Sequence, residues 1–173
     1  GQAYIVCPLI ETEEGAADER QSAVTYAQKL QQRLPQLRIG LMHGRLKAGE
    51  KDRVMASFAQ GELDVLVSTT VIEVGVNVPR ATLMIVEDAD RFGLSQLHQL
   101  RGRVGRGTLQ SYCVLVSDSQ NEKTRRRLQL MTQCSDGFRI AEEDLKLRGP
   151  GDFFGDRQHG LPQFKVADLS NDI

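Results

Sequence analysis

Two arginines and a glutamine raise the first chemical question. In Gln96-Leu97-His98-Gln99-Leu100-Arg101-Gly102-Arg103-Val104-Gly105-Arg106-Gly107, the residues Gln99, Arg103 and Arg106 are spaced i, i+4, i+7. On a helix over residues 95 to about 106, that spacing points all three from one face. Two guanidiniums and an amide converging this way accept a charged, planar or tetrahedral oxyanion. Gly102 and Gly105 would each cost ~1 kcal/mol in a helix relative to alanine. That penalty makes sense where another backbone or a nucleotide must come close. The competing readings are a solvated basic helix and a disordered Gly-Arg segment that binds RNA loosely. Leu97, Leu100 and Val104 argue against disorder.

These residues need a scaffold, and the chain supplies one. Short apolar runs alternate with helical periodicity, which predicts a parallel sheet flanked by helices. Residues 3–9 read as a first strand, nearly continuous in apolar side chains, as a strand buried on both faces should be. Ala23, Ala27, Leu30 and Leu34 recur at helical spacing, and Pro35 stops that helix. Residues 38–43 form a second strand. Residues 47–60 form a helix that carries Val54 and Phe58 on one side and ends before Gly61. Strands over 64–68, 82–87 and 112–117 follow. The β-α-β rhythm therefore runs to about residue 117. Two helices over 122–131 and 138–147 come next, joined by a turn at Ser135-Asp136-Gly137, and a glycine-rich tail starts at Arg148. This divides the chain into an α/β unit over 1–118 and a helical hairpin with its trailing loop over 119–173.

Ligands of an open parallel sheet bind beyond the carboxyl ends of its strands. His43-Gly44-Arg45, the stretch Thr69-Thr70-Val71-Ile72-Glu73-Val74-Gly75-Val76-Asn77-Val78-Pro79 and the approach to residues 99–106 all fall there. Gly75 lets the chain approach a ligand closely. The bland alternatives are an ordinary strand-to-helix loop for the second stretch and a satisfied loop histidine for His43.

Composition narrows the class. With 173 residues, 40% hydrophobic and 26% charged, the chain is an ordinary globular protein with enough apolar side chains for a core. No apolar run reaches the ~20 residues of a membrane span, and no signal-peptide pattern opens the chain, which looks excised from something longer. Cys7, Cys113 and Cys134 lack metal-ligand spacing and read as small buried hydrophobes of a reduced, cytoplasmic protein. The net charge of −1 is uninformative, but its distribution is not. Between Arg91 and Arg127 stand eight basic residues (Arg91, Arg101, Arg103, Arg106, Lys123, Arg125, Arg126, Arg127) against Asp118 and Glu122. Such a local excess suits a phosphate chain as partner. Missing are a Gly-x-x-x-x-Gly-Lys-Ser/Thr loop and an acidic box for magnesium.

Gln-x-x-Gly-Arg-x-Gly-Arg at residues 99–106 resembles motif VI of superfamily 2 helicases. The resemblance implies a RecA-like C-terminal lobe in which Arg103 and Arg106 act as fingers on ATP held by another lobe, stabilising charge on the transferred phosphoryl group. Residues 69–79 resemble motif V, which couples nucleotide to DNA. Thr69 and Thr70 would face backbone phosphate, while Glu73, Gly75 and Asn77, with Gln99, would lie on the nucleotide side. Asn77 stands where many relatives carry aspartate. His43-Gly44-Arg45 resembles the segment after motif IV, which implies phosphate contacts for Arg45 and Lys51.

Asp136-Gly137-Phe138, Asp144-Leu145, Arg148-Gly149-Pro150-Gly151-Asp152, Gly155 to Gln158 and Gly160 resemble the translocation motif of RecG-type helicases. Arg127, Arg148 and Gln158 are the matching residues. A stiff hairpin feeding a glycine-jointed loop is a lever with a hinge; the plain alternative is a helical cap with a floppy tail.

The resemblance implies an ATP-dependent DNA helicase acting in fork reversal, recombination and repair. ATP with Mg²⁺ would be bound mainly by a first lobe outside this chain, so the fragment alone would be inactive. Partners would be branched or forked DNA and the N-terminal motor lobe and wedge domain of the same polypeptide; the protein would be monomeric and off the membrane. A transcription-repair coupling factor shares the hairpin, but usually has serine at the position of Gly107 and Arg-Gly-Ala-Gly at that of Arg148-Gly149-Pro150-Gly151. An RNA helicase lobe and a non-catalytic nucleic-acid-binding module remain further alternatives.

Overall fold

The computed structural model describes residues 1–7, 19–69 and 77–148, without the side chains of residues 19–22 and 148. Five strands run parallel in the order β2-β3-β1-β4-β5, with β1 Gln2–Val6, β2 Ile39–Met42, β3 Val65–Ser68, β4 Ala81–Val86 and β5 Tyr112–Leu115. The α/β class expected from the sequence is what the chain adopts. It leaves β1 toward β2 and leaves β3 toward β4 on the opposite side, so the switch point lies between β1 and β4.

Strand burial explains the apolar runs. The central strand β1 sends Tyr4 and Val6 into one core, and the alternate residues Ile5 and Cys7 into the other. All of β3 is buried. The edge strand β5 instead exposes Tyr112 and Val114.

Helix α1 (Glu19–Arg33) packs Ala23 and Ala27 on Ile5, Cys7, Val65 and Val67. The Tyr26 hydroxyl donates to Glu87 Oε1 at 2.8 Å, tying α1 to the end of β4. The opposite face is covered by α2 (Ala48–Ala59), α3 (Leu94–Arg101), α4 (Glu122–Gln133) and α5 (Gly137–Arg148). Their Met55, Phe58, Leu94, Leu97, Leu100, Met131 and Ile140 join Tyr4, Val6, Leu66 and Met84 in one cluster. The hairpin α4–α5 therefore shares its core with the sheet. Gln2, buried at the start of β1, clamps the exit of α2 by donating to Phe58 O at 2.6 Å and Leu63 O at 2.7 Å.

One element departs from expectation. Helix α3 stops at Arg101, so the predicted helix to about residue 106 is shorter by a turn. Gly102 caps it, its N–H donating to His98 O, and Gly105 turns the chain at φ +77°. The apolar spacing carried on to Val104, which is buried from the turn rather than from a helix.

Candidate nucleotide and nucleic-acid interface

Because α3 ends early, Gln99, Arg103 and Arg106 do not project from one helical face, which corrects the sequence reading. Gln99 is exposed on the last turn of α3; Arg103 is half-buried in the turn beyond; Arg106 is exposed, its Nε donating to Gly102 O at 2.9 Å. The turn nevertheless leaves both arginines close enough to β1 to act on Tyr4. Burial pushes the Tyr4 hydroxyl's pKa up, and the Arg103 and Arg106 charges both oppose that rise. Both guanidiniums thus stand within electrostatic reach of one buried hydroxyl on the switch-point strand β1. Two cations so placed can stabilise an anion without a proton transfer.

The glycines of this turn act through conformation and contact, not through a helix penalty. Gly105 occupies the left-handed region that a side chain disfavours by ~1–2 kcal/mol. A Cβ on Gly107 would lie 2.7 Å from Pro79 O, a backbone atom that cannot swing away. This contact joins the end of the arginine-rich stretch to the end of the 69–79 stretch. Asn77, two residues before Pro79, is exposed beside it.

At the carboxyl ends of the neighbouring strands β2 and β3, His43 and Thr69 are buried, and the Thr69 N–H donates to Met42 O at 3.2 Å. Thr69 Oγ1 and His43 Nδ1 have no hydrogen-bond partner among the described residues. An unmet buried polar atom costs ~1–3 kcal/mol, so each of these two atoms could take a further donor or acceptor from outside the described residues. Arg45 is exposed just beyond, and Lys51 is half-buried on α2.

Arg127, on α4, is half-buried and donates from Nη2 to Asp90 O in the 3-10 turn Ala89–Arg91, while its buried Nε has no hydrogen-bond partner among the described residues. Backbone carbonyls likewise capture Arg101. The basic stretch thus presents fewer free charges than its composition suggests. Thr70, Glu73, Gly75 and Gln158, and the side chain of Arg148, lie outside the described residues. Cys7 is buried, its thiol pushed up to about 12 by desolvation and then by Glu87 and Asp88, which makes it inert. Tyr4, Gln2 and the internal pair His98–Arg101 were not singled out in the sequence; only their proximity to the motif marks them.

Residues 1–108 match the helicase conserved C-terminal domain. The chain belongs to that family. Its motif VI region and the strand ends described above all lie within the matched span. Residues 134–173 match ATP-dependent DNA helicase RecG, domain 3, C-terminal, which begins at the turn into α5. Over 171 residues the chain is 58% identical to ATP-dependent DNA helicase RecG of Staphylococcus aureus (strain Mu50), covering 99% of this chain and 25% of that protein. It is 54% identical to RecG of Bacillus subtilis (strain 168) over the same shares. The chain thus spans about a quarter of the length of the curated relatives it matches. The structure of RecG bound to a three-way DNA junction superposes with a TM-score of 0.75 at 54% identity, covering 99% of this chain and 21% of that one. The C-terminal domain of yeast Dbp5, in complex with Gle1 and IP6, shares the fold, with a TM-score of 0.51 at 20% identity over 91% of this helicase lobe and 72% of that chain.

Proposed function

We propose that this helicase lobe is the C-terminal motor lobe of a RecG-type, ATP-dependent helicase that remodels branched DNA during fork reversal, recombination and repair. The observation that carries the reading is the 58% identity over a match that covers 99% of the chain, lobe and hairpin alike. Arg103 and Arg106, gathered by the Gly105 turn, are the cations offered to a triphosphate. ATP with Mg²⁺ would be held by the first lobe of the full-length protein, since this chain carries no phosphate-cradling loop of the Gly-Lys-Ser/Thr type. ATP supplies the free energy that lobe closure turns into movement; within this chain the arginines stabilise charge and the hairpin transmits displacement.

Thr69, His43 and Arg45 form the side that meets the DNA backbone: a buried hydroxyl and an imidazole Nδ1 without partners among the described residues, with Arg45 exposed two residues after His43. Thr70, Lys51, Arg148 and Gln158 are assigned to the same partner by their motif positions, and Gln99, Glu73, Gly75 and Asn77 to the nucleotide. The full-length protein is proposed to act as a monomer in the bacterial cytosol. Among the described residues no helix is long and apolar enough to cross a membrane. The likeness to Dbp5 concerns the fold and does not move the reading toward RNA.

ATP hydrolysis by the full-length protein, measured with forked DNA and with single-stranded RNA as activators, tests this proposal. Stimulation by the fork together with ATP-dependent strand separation is the expected result. Stimulation by RNA alone would overturn it.

A further inference from the structure

Arg101 lies two residues before the first finger arginine and does something different. Its Nη1 donates to Met131 O and to Cys134 O, both at 2.7 Å. These are carbonyls at the carboxyl end of α4, where helical acceptors lack intrahelical donors and where the dipole favours a cation. Its Nη2 meets His98 Nδ1 at 2.9 Å. Arginine nitrogens only donate, so Nδ1 is the acceptor in this contact. The Nε2 side of the ring abuts the first residue of α5: a Cβ on Gly137 would fall 2.8 Å from His98 Nε2. His98 and Arg101, one turn apart on α3, therefore grip both helices of the hairpin at its elbow.

The grip is stiff. Leu97 and Leu100 lie in the same buried cluster as Met131, Cys134 and Ile140. A fork of donors spanning two carbonyls and an imidazole fixes orientation as well as distance, which a single ammonium cannot do. Beyond Arg101 the backbone runs directly through the Gly102 cap into Arg103 and Arg106. A displacement of the arginine turn thus reaches the hairpin elbow through the short Gly102–Arg106 turn, closed by the Arg106–Gly102 bond, and then through the hydrogen bonds of Arg101.

We propose that Arg101, oriented by His98, is the positioning residue that couples movement of the finger arginines to the helical hairpin, so that losing it separates ATP turnover from work on DNA. This rests on the motor reading above. It differs from the roles of Arg103 and Arg106, because the Arg101 guanidinium is spent on internal carbonyls.

The test uses the full-length protein and reads the ratio of fork unwinding to DNA-stimulated ATP hydrolysis. Arg101→Met and Arg101→Lys should keep hydrolysis within about twofold of wild type and lower unwinding by about fivefold or more, the lower range of typical coupling. His98→Asn, whose amide oxygen can replace Nδ1 as acceptor, should retain the wild-type ratio, while His98→Leu should lower it. A role in packing alone would shift the melting temperature and leave the ratio unmoved, and that result would overturn the proposal. So would parallel loss of both activities at an unchanged melting temperature, which would place Arg101 at the nucleotide. If Arg101→Met does not fold, the His98 pair decides: equal ratios for Asn and Leu would sink the coupling. Failure of the motor reading is distinguishable, since the wild-type protein itself would then neither hydrolyse ATP on forks nor separate them.

Discussion

Arg106 Nε donates to Gly102 O at 2.9 Å, closing the turn that carries the second of the two proposed finger arginines back onto the end of the preceding helix. The bond needs Gly105 at φ +77°, and it holds the base of the side chain while the rest of the guanidinium stays exposed.

The two glycines of this turn should therefore respond differently to alanine. Gly105→Ala places a side chain in the left-handed region and should cost ~1–2 kcal/mol of stability. It should also depress DNA-stimulated ATP hydrolysis of the full-length protein by re-aiming Arg106. Gly102 has an ordinary helical φ, and an added Cβ there would meet Gln99 O at 3.4 Å, which is tolerable. Gly102→Ala should stay close to wild type in both denaturant midpoint and hydrolysis.

Gly107→Ala acts through contact instead. With Pro79 O 2.7 Å from the new Cβ, backbone must move, and overpacking of this kind costs ~1–3 kcal/mol. Denaturant titration of the chain should show a lowered midpoint with an unchanged slope.

Phe58 is fully buried and meets Tyr4 edge to face, with ring centroids 4.8 Å apart. Truncation removes both the ring and its partner's support. Phe58→Ala should destabilise the lobe by ~3–5 kcal/mol, read by urea unfolding; a loss below 1 kcal/mol would mean that the site collapses freely.

Asp64 gives the pH dependence a definite sign. Arg38 donates to both of its oxygens, from Nε at 3.0 Å and Nη2 at 2.9 Å, and the Arg38 backbone N–H adds a third bond at 2.8 Å. These bonds hold the carboxyl down at about 2, below its ordinary 3.8. A lowered folded-state value means stability fully present above the ordinary value and lost as the pH falls toward the folded one. The melting temperature should therefore fall between pH 4 and pH 2, and Asp64→Asn should flatten that part of the decline while lowering stability at neutral pH. An identical acid slope in the variant would contradict the pairing.

Much of the scaffold could be read from residues alone, for physical reasons. Strands β1 and β3 are buried on both faces, so all but their end residues Gln2 and Ser68 are apolar, and helices α4 and α5 carry their boundaries in local side chains: Asn121 Oδ1 accepts from Lys123 N, and Asp136 Oδ1 from Phe138 N. The sheet order could not be read, because no residue names its neighbouring strand. The end of α3 was misplaced because Val104 continued the helical apolar spacing from outside the helix. Arg101 and Arg127 looked like surface charge because their acceptors are main-chain carbonyls, which leave no mark in a sequence. That Thr69 Oγ1 and His43 Nδ1 have no partner among the described residues depends on burial, visible only once β2 and β3 lie side by side.

The most direct measurement is the rate of fork-stimulated ATP hydrolysis by the full-length protein carrying Arg106→Ala, with DNA binding and melting temperature followed in parallel. Removal of a finger arginine should cut turnover by ~10³-fold or more while the variant still binds forks and melts with the wild type. Turnover equal to wild type would contradict the account, because the turn would then position a guanidinium that the chemistry does not use.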